Sequence, residues 1–143
     1  MGVNLMVDIS LLSRGASLER IEFTLDDRYT RRYLGAITGN SYDSVVLGGV
    51  PPHGIATRAM LALLESLNLP AGTVHVSQSI TSHAKAMLGT KLSMLTTVTQ
   101  IRAVRGYMHV TLSFNIYDNS GVGRLVLQGD TVVMVPEAVD GQL

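Results

Sequence analysis

The sequence contains no cysteine and no tryptophan, and aromatic residues make up only 5% of it. Without cysteine, a disulfide framework and a zinc site built on thiolates are both excluded, and the absence of cysteine is consistent with a cytoplasmic protein. No apolar run reaches the roughly 18 residues of a membrane span, because Glu65 interrupts the longest one. We therefore expect no disulfide, no membrane span and a cytoplasmic location.

An excess of charge of one sign is also absent. The chain has 11 Lys and Arg and 11 Asp and Glu, so its formal net charge is zero with the histidines neutral. Such a balance gives no broad attraction to nucleic acid or to an anionic membrane. The four histidines show no metal-ligand spacing. We therefore expect no nucleic-acid partner, no metal and no cofactor.

The length of 143 residues is that of about one domain. No internal repeat, low-complexity segment or linker divides the chain, so a single domain over residues 1–143 is expected. Residues 1–17 have weak periodicity and two small residues, Gly15 and Ala16, near their end. They are predicted to be an irregular or loosely attached N-terminal arm, and the start of the chain lacks the basic leader of a signal peptide.

The strongest helical pattern covers residues 54–67. Pro51 and Pro52 hold the approach extended, Gly54 can begin the helix, and Pro70 ends it. Apolar side chains cover nearly the whole circumference: Ile55, Ala59, Met60, Leu61, Ala62, Leu63, Leu64 and Leu67. A helix that is apolar on so many sides must be surrounded, and the strands that follow are the candidate wrapping.

Five segments have strand-like patterns. The clearest alternation places one face of a strand in the core, with Met108, Val110, Leu112, Phe114 and Ile116 on that face. The other strands are predicted over residues 18–25, 73–80, 91–104 and 125–135.

Three details of these strands can be predicted. In the second strand we expect Val74, Val76 and Ile80 on one face, opposite His75, Ser77 and Ser79. In the third, the apolar positions change parity between Met94 and Leu95, which predicts a bulge or a strong twist there. Arg105 and Gly106 allow a tight reversal, so at least the last three strands are predicted to form an antiparallel meander.

A further helix is predicted after Asp26 or Asp27, with Gly39 ending it. Arg28, Arg31 and Arg32 fall mostly on its polar face. They are interpreted as a solvated helix surface or, alternatively, as partners of an anionic group such as a nucleotide phosphate.

From about Arg20 to Pro136 the chain resembles MaoC-like acyl dehydratases and (R)-specific enoyl hydratases. The passages that carry the resemblance are RRYLGAITGN, GGVPPHGIATRAMLALL, VHVSQSITSHAKAMLGTKLSM and VVLQGDTVVMVP. The resemblance implies an α+β hotdog fold, in which a curved antiparallel sheet wraps the central helix and two hotdogs pair. It also implies that an acyl-CoA or acyl-carrier-protein thioester binds near the start of that helix.

The catalytic loop of the resembling family is altered in this chain. That family uses an Asp and a His within a Gly-Asp-x-Asn-Pro-x-His pattern, and the matching passage here is GNSYDSV. Gly39 is kept, but Asn40 stands in the position of the Asp and Val45 in that of the His, with Tyr42 and Asp43 between them. Because neither Asn40 nor Val45 can transfer a proton, ordinary hydratase chemistry is not expected from this pair.

The resemblance still implies a set of site residues. Asn40, Asp43 and His53 are the catalytic candidates, and Tyr42 and Gly54 are the candidates for substrate binding. Gly54 matches the family residue whose N–H binds the thioester carbonyl at the positive helix end. Alternatives remain open: Gly54 easing the turn, His53 making a loop hydrogen bond, Asp43 capping a turn and Tyr42 closing the pocket.

Two classes of function follow from the resemblance. The first is a dehydratase-like or hydratase-like lyase acting on an acyl thioester with an altered catalytic loop. The second is a non-catalytic hotdog subunit that supports a catalytic partner, as a homodimer or heterodimer. An acyl-CoA thioesterase is a further alternative, because some hotdog thioesterases use a helix carboxylate and Glu65 lies on the central helix. Catalytic activity itself is left open.

Overall fold

A computed structural model describes residues 7–9, 12–25, 49–119 and 123–137. Within these ranges the chain forms one helix and seven strands. Their bounds are β1 (Val7–Asp8), β2 (Ile21–Thr24), α1 (Pro52–Ser66), β3 (Leu67–Asn68), β4 (Val74–Ser82), β5 (Lys91–Val104), β6 (Tyr107–Asp118) and β7 (Leu125–Pro136).

Five of these strands form an antiparallel sheet in the order β2-β5-β6-β7-β4. The predicted meander of the last three strands is confirmed. Strand β6 follows β5 through a two-residue turn in which Arg105 and Gly106 have φ values of 51° and 83°. Positive φ at both central residues is the geometry that matches the twist of a hairpin, so the predicted reversal is confirmed as well.

The core-facing side of β6 carries the residues that the alternation predicted. Val110, Leu112, Phe114 and Ile116 are buried, whereas Met108 is half-buried. They share one hydrophobic cluster with the inner face of helix α1. The sheet therefore covers the helix on one side, as expected for a hotdog fold.

The predicted bulge in β5 is displaced. Met94 is buried and Leu95 is exposed, so the strand alternates regularly through this pair. The register shifts instead between Val98 and Gln100. The prediction was wrong because Leu95 is an apolar residue on the outer face, which sequence periodicity counted as a core residue.

Strand β4 lies at the edge of the sheet, and its predicted faces are wrong. A bulge between His75 and Ser77 changes the parity of the strand. His75 consequently pairs with Val133 and shares its face of the sheet; its ring is exposed, and its Nε2 is 2.6 Å from the Oγ1 of buried Thr131. Val74 and Val76 are 48% and 50% exposed.

Helix α1 begins at Pro52, two residues before the prediction, because proline is well suited to the first helical turn. It ends at Ser66, one residue before the predicted end at residue 67, because Leu67 is extended and buried and begins β3, which pairs in parallel with β1. One face of the helix is buried, with Gly54, Ile55, Ala56, Ala59, Met60 and Leu63. Leu61, Ala62 and Leu64 are only partly buried, so burial around the whole circumference was overestimated.

The described part of the N-terminal arm contains the two-residue strand β1 and a stretch without regular structure that is attached to the five-stranded sheet. Ile9 is 1% exposed. The amides of Gly15 and Leu18 donate to the carbonyls of Val98 and Thr96, at 2.7 and 2.9 Å. These contacts hold the arm along β5 and correct the expectation of loose attachment.

The predicted helix of residues 26–39 lies outside the described residues, as do the first nine residues of the loop that follows it. Helix α1, the helix of the described ranges, has 15 residues and is too short to cross a membrane.

Candidate functional site

The start of helix α1 has a specific pattern of backbone hydrogen bonds. Pro51 occupies the N-cap position without a side-chain cap, and the first turn contains no acidic residue. The amides of Gly54 and Ile55 both donate to the Pro51 carbonyl, at 2.9 and 3.1 Å. Because Pro52 has no N–H, His53 is the first-turn residue whose amide has no acceptor within the described chain.

This hydrogen-bond pattern determines which backbone groups are available at Gly54 and His53, the two predicted site residues within the described ranges. Gly54 is buried, and its N–H already has an acceptor, so it could bind a ligand oxygen only by sharing or breaking the bond to Pro51. His53 is exposed, and its carbonyl accepts from the Thr57 hydroxyl at 2.8 Å. The two residues are adjacent at the positive end of the helix.

The other three predicted site residues, Asn40, Tyr42 and Asp43, lie outside the described residues. Their proximity to His53 and Gly54 therefore stays a prediction. The altered loop remains a feature of the sequence alone.

Residues 83–89 lie beside the start of the helix. Val50 donates its amide to the carbonyl of Ala86 at 2.8 Å, and this bond joins the helix approach to the segment after β4. Gly49 has a φ of +99°, and a Cβ placed on it would lie 3.5 Å from the Cβ of Lys85 and 3.6 Å from the Sδ of Met87. Lys85 and Met87 are both exposed.

A second cation lies close to this segment. The guanidinium of Arg124 donates to the carbonyl of Lys85 at 3.1 Å and is 3.5 Å from the carboxylate of Asp118. Arg124 is 59% exposed and Asp118 is 11% exposed at the side chain. Sequence reasoning missed Lys85 and Arg124, because 39 positions separate them and no local pattern links them.

Two other polar side chains lie far from the helix start. Glu65 is exposed and 11 residues beyond Gly54, which corresponds to about 16 Å along the helix axis. His75 lies near the start of β4, whereas residues 83–89, which lie beside the helix start, follow the end of β4. Eight residues of mostly regular strand separate His75 from His83, or about 26 Å. Neither can contribute to a small site at the start of α1.

The outer face of the sheet carries a shallow polar pocket of about 270 Å³. Ser113 donates to the carboxylate of Asp130 at 2.5 Å, and the amide group of Gln128 donates to Asn115 at 3.0 Å. These side chains therefore form their hydrogen bonds with one another, between neighbouring strands. Among the described residues, no cluster of His, Asp and Glu has the arrangement of a metal site.

Comparison with known proteins identifies the fold to which this architecture belongs. No protein-family model matches the chain, and no curated protein matches it in sequence. Solved structures do match. A MaoC-like dehydratase from Rhodospirillum rubrum aligns with a TM-score of 0.71 and 17% identity, over 92% of this chain and 97% of the other.

Two further similar structures support the same assignment. The (R)-hydratase PhaJ1 from Pseudomonas aeruginosa has a TM-score of 0.66 and 16% identity, with coverage of 89% of this chain and 84% of the hydratase. The HadBC (3R)-hydroxyacyl-ACP dehydratase complex from Mycobacterium tuberculosis has a TM-score of 0.66 and 20% identity, with coverage of 85% and 96%. At such identities the likeness establishes the fold. The chain therefore has the hotdog fold found in MaoC-like dehydratases and (R)-hydratases.

Proposed function

We propose that this protein binds an acyl thioester at the start of helix α1 and that its catalytic loop is altered from the hydratase type. The observation that carries the proposal is the hotdog fold shared with a MaoC-like dehydratase over 92% of the chain. The described geometry is compatible with it: the helix start has neither a side-chain cap nor an acidic residue in its first turn. A thioester carbonyl that gains negative charge is stabilised at such a position.

The chemistry differs from hydration by an Asp and His pair. Asn40 has no basic carboxylate and Val45 no proton to move, so water is not activated by these positions. General acid–base catalysis contributes a factor of about 10²–10⁴, and its loss leaves binding and carbonyl polarisation. Asp43 and His53 are the residues that remain to supply a proton-transfer group.

The test is enoyl-CoA hydration with crotonyl-CoA as substrate. Wild type is expected to bind it but to turn it over poorly, and the double substitution Asn40→Asp with Val45→His is expected to raise turnover. The single substitutions Asp43→Asn and His53→Ala identify any residual proton-transfer group. Fast wild-type turnover that survives both single substitutions would contradict the altered-site proposal.

If Asp43→Asn abolishes a fast wild-type reaction, Asp43 is the general base and the protein is a lyase. If only the double variant gains activity, the result supports a hydratase-like fold whose catalytic loop now serves a different function.

A second candidate function is that of a hotdog subunit paired with another hotdog. Strand β4, VHVSQSITS, forms one edge of the five-stranded sheet and contains no charged residue and no proline. Natural edge strands usually carry such residues to prevent pairing with another chain. The exposed Val74 and Val76 add apolar surface to this edge. A second subunit, identical or different, would cover it, and HadBC is one hotdog complex of this kind.

The thioesterase alternative receives less support. It would need a carboxylate near the thioester, and Glu65 lies in the last turn of α1, far from the helix start. The exposed position of Glu65 fits a solvent contact or a contact between subunits.

A further inference from the structure

The side chain of Arg124 joins the start of β7 to the segment that follows β4. Arg124 immediately precedes β7, and its guanidinium donates to the carbonyl of Lys85 at 3.1 Å. Asp118 contacts Arg124 twice: its amide donates to the Arg124 carbonyl at 2.8 Å, and its carboxylate is 3.5 Å from the guanidinium. These contacts through backbone and side chain together fix the direction in which the guanidinium extends.

Lys85 lies where the chain leaves the five-stranded sheet after β4. The amide of Ala84 donates to the carbonyl of Val126 in β7 at 3.2 Å. The carbonyl of the next residue, Lys85, accepts the bond from Arg124. The guanidinium therefore extends the attachment of this segment to β7 by one residue, as far as Ala86.

Ala86 in turn is bonded to the approach to helix α1. Its carbonyl accepts from the amide of Val50 at 2.8 Å, and both residues are buried. A Cβ built on Gly49 would lie 3.4 Å from the same carbonyl oxygen, so the two segments are in close contact. Because buried contacts of this kind transmit displacements, a shift of Ala86 would also move Pro51, the residue that begins the helix.

We infer that Arg124 is a positioning residue for the start of α1. It holds the Lys85 carbonyl and so fixes the neighbouring Ala86, to which Val50 is bonded. The His53 amide then keeps the position at which the proposed function requires a thioester oxygen, and small displacements of such a group weaken its interaction with a ligand. This inference rests on the proposed function, because it names a residue that shapes the same site.

The first experiment measures binding of crotonyl-pantetheine to the full-length protein by NMR titration. This thioester has no charge, so its affinity depends on the geometry of the helix start and not on attraction between cations and an anion. We expect Arg124→Gln to raise its Kd about three- to fivefold, the effect of losing one partly exposed hydrogen bond from a charged donor.

The second experiment follows the approach to the helix without a ligand. The amide of Val50 is buried and hydrogen-bonded, so its hydrogen exchange reports local opening of the contact with Ala86. Arg124→Gln should accelerate this exchange about three- to fivefold. Exchange of the Leu112 amide, in the central strand β6, should stay unchanged.

Two variants serve as controls. Lys85→Gln removes an exposed cation from the same place but keeps the backbone carbonyl that Arg124 binds, so it should change neither the Kd nor the exchange of Val50. Arg124→Lys keeps a charged donor and should restore most of both values. Unfolding temperatures of all variants show whether a loss of binding reflects a loss of folding.

The outcomes separate the inference from the proposed function. Unchanged Val50 exchange in Arg124→Gln overturns the inference, whatever the protein binds. Equal losses of affinity in Lys85→Gln and Arg124→Gln also overturn it, because the effect would then belong to the cations and not to the bond with the carbonyl. If Arg124→Gln accelerates Val50 exchange but wild type binds neither crotonyl-pantetheine nor crotonyl-CoA, the proposed function fails and the positioning of the helix start stands.

Discussion

Phe114 and Gly129 lie directly opposite each other in neighbouring strands, and the phenyl ring occupies the space above the glycine. A Cβ built on Gly129 would lie 2.6 Å from the Cζ of Phe114 and would also collide with the carbonyl oxygen of Ser79 on the other side. The glycine therefore permits a large core side chain and a close strand approach at one position of β7.

We predict that Gly129→Ala lowers the free energy of unfolding by about 2–3 kcal/mol, because both neighbours must move to admit the methyl group. Urea denaturation measures the loss. The double variant Gly129→Ala with Phe114→Leu should recover only part of it, since the Ser79 carbonyl is backbone and still obstructs the methyl group. Full stability in Gly129→Ala would contradict the close approach of β4 and β7.

Two buried threonines on the core side of the sheet differ in their hydrogen bonds. The hydroxyl of Thr96 has no partner among the described residues, whereas the hydroxyl of Thr131 is bonded to His75. Thr96→Val is expected to leave stability unchanged or to raise it by up to about 1 kcal/mol, and Thr131→Val to lower it by about 1 kcal/mol. Chemical denaturation of the two variants checks the contrast. Equal losses would mean that the Thr96 hydroxyl is paired in the folded protein.

The edge of β4 gives a prediction about assembly. Val76→Lys places a charge on an edge residue that is 50% exposed, so it should cost the single subunit little but weaken pairing through this edge. Light scattering at micromolar concentration should show a dimer, or a complex with a hotdog partner, for wild type and a smaller mass for the variant. Leu95→Lys is the matched control, because Leu95 is 45% exposed on the outer face away from the edge. A monomeric wild type that pairs with no other hotdog would rule out this assembly.

Local sequence patterns correctly predicted those elements whose buried face coincides with the face that carries their apolar residues. Strand β6 is flanked on both sides by partner strands and covered by the core on one face, so alternation alone placed Val110, Leu112, Phe114 and Ile116 correctly. The start of α1 was also predictable within two residues, because proline restricts the backbone whatever surrounds it. The resemblance to a hotdog family rested on sequence passages such as GGVPPHGIATRAMLALL and on their order along the chain.

Long-range pairing decided the features that the sequence pattern misjudged. The exposure of Val74 and Val76 results from the edge position of β4, and the position of His75 results from a bulge that only the register with β7 reveals. Likewise, strand β3 was not predicted, because it forms through the pairing of Leu67 with Val7, which lies 60 positions away. Periodicity contains no information about such partners.

The sequence by itself determined the chemistry open to Asn40 and Val45, because neither side chain can transfer a proton. It also determined the hydrophobic helix and the alternation of β6, whereas the hotdog fold was what the family resemblance implied. Only the tertiary structure placed Lys85 and Arg124 beside the start of α1. The reason is physical: the identity of a residue fixes what chemistry it can perform, whereas folding fixes which distant groups it meets.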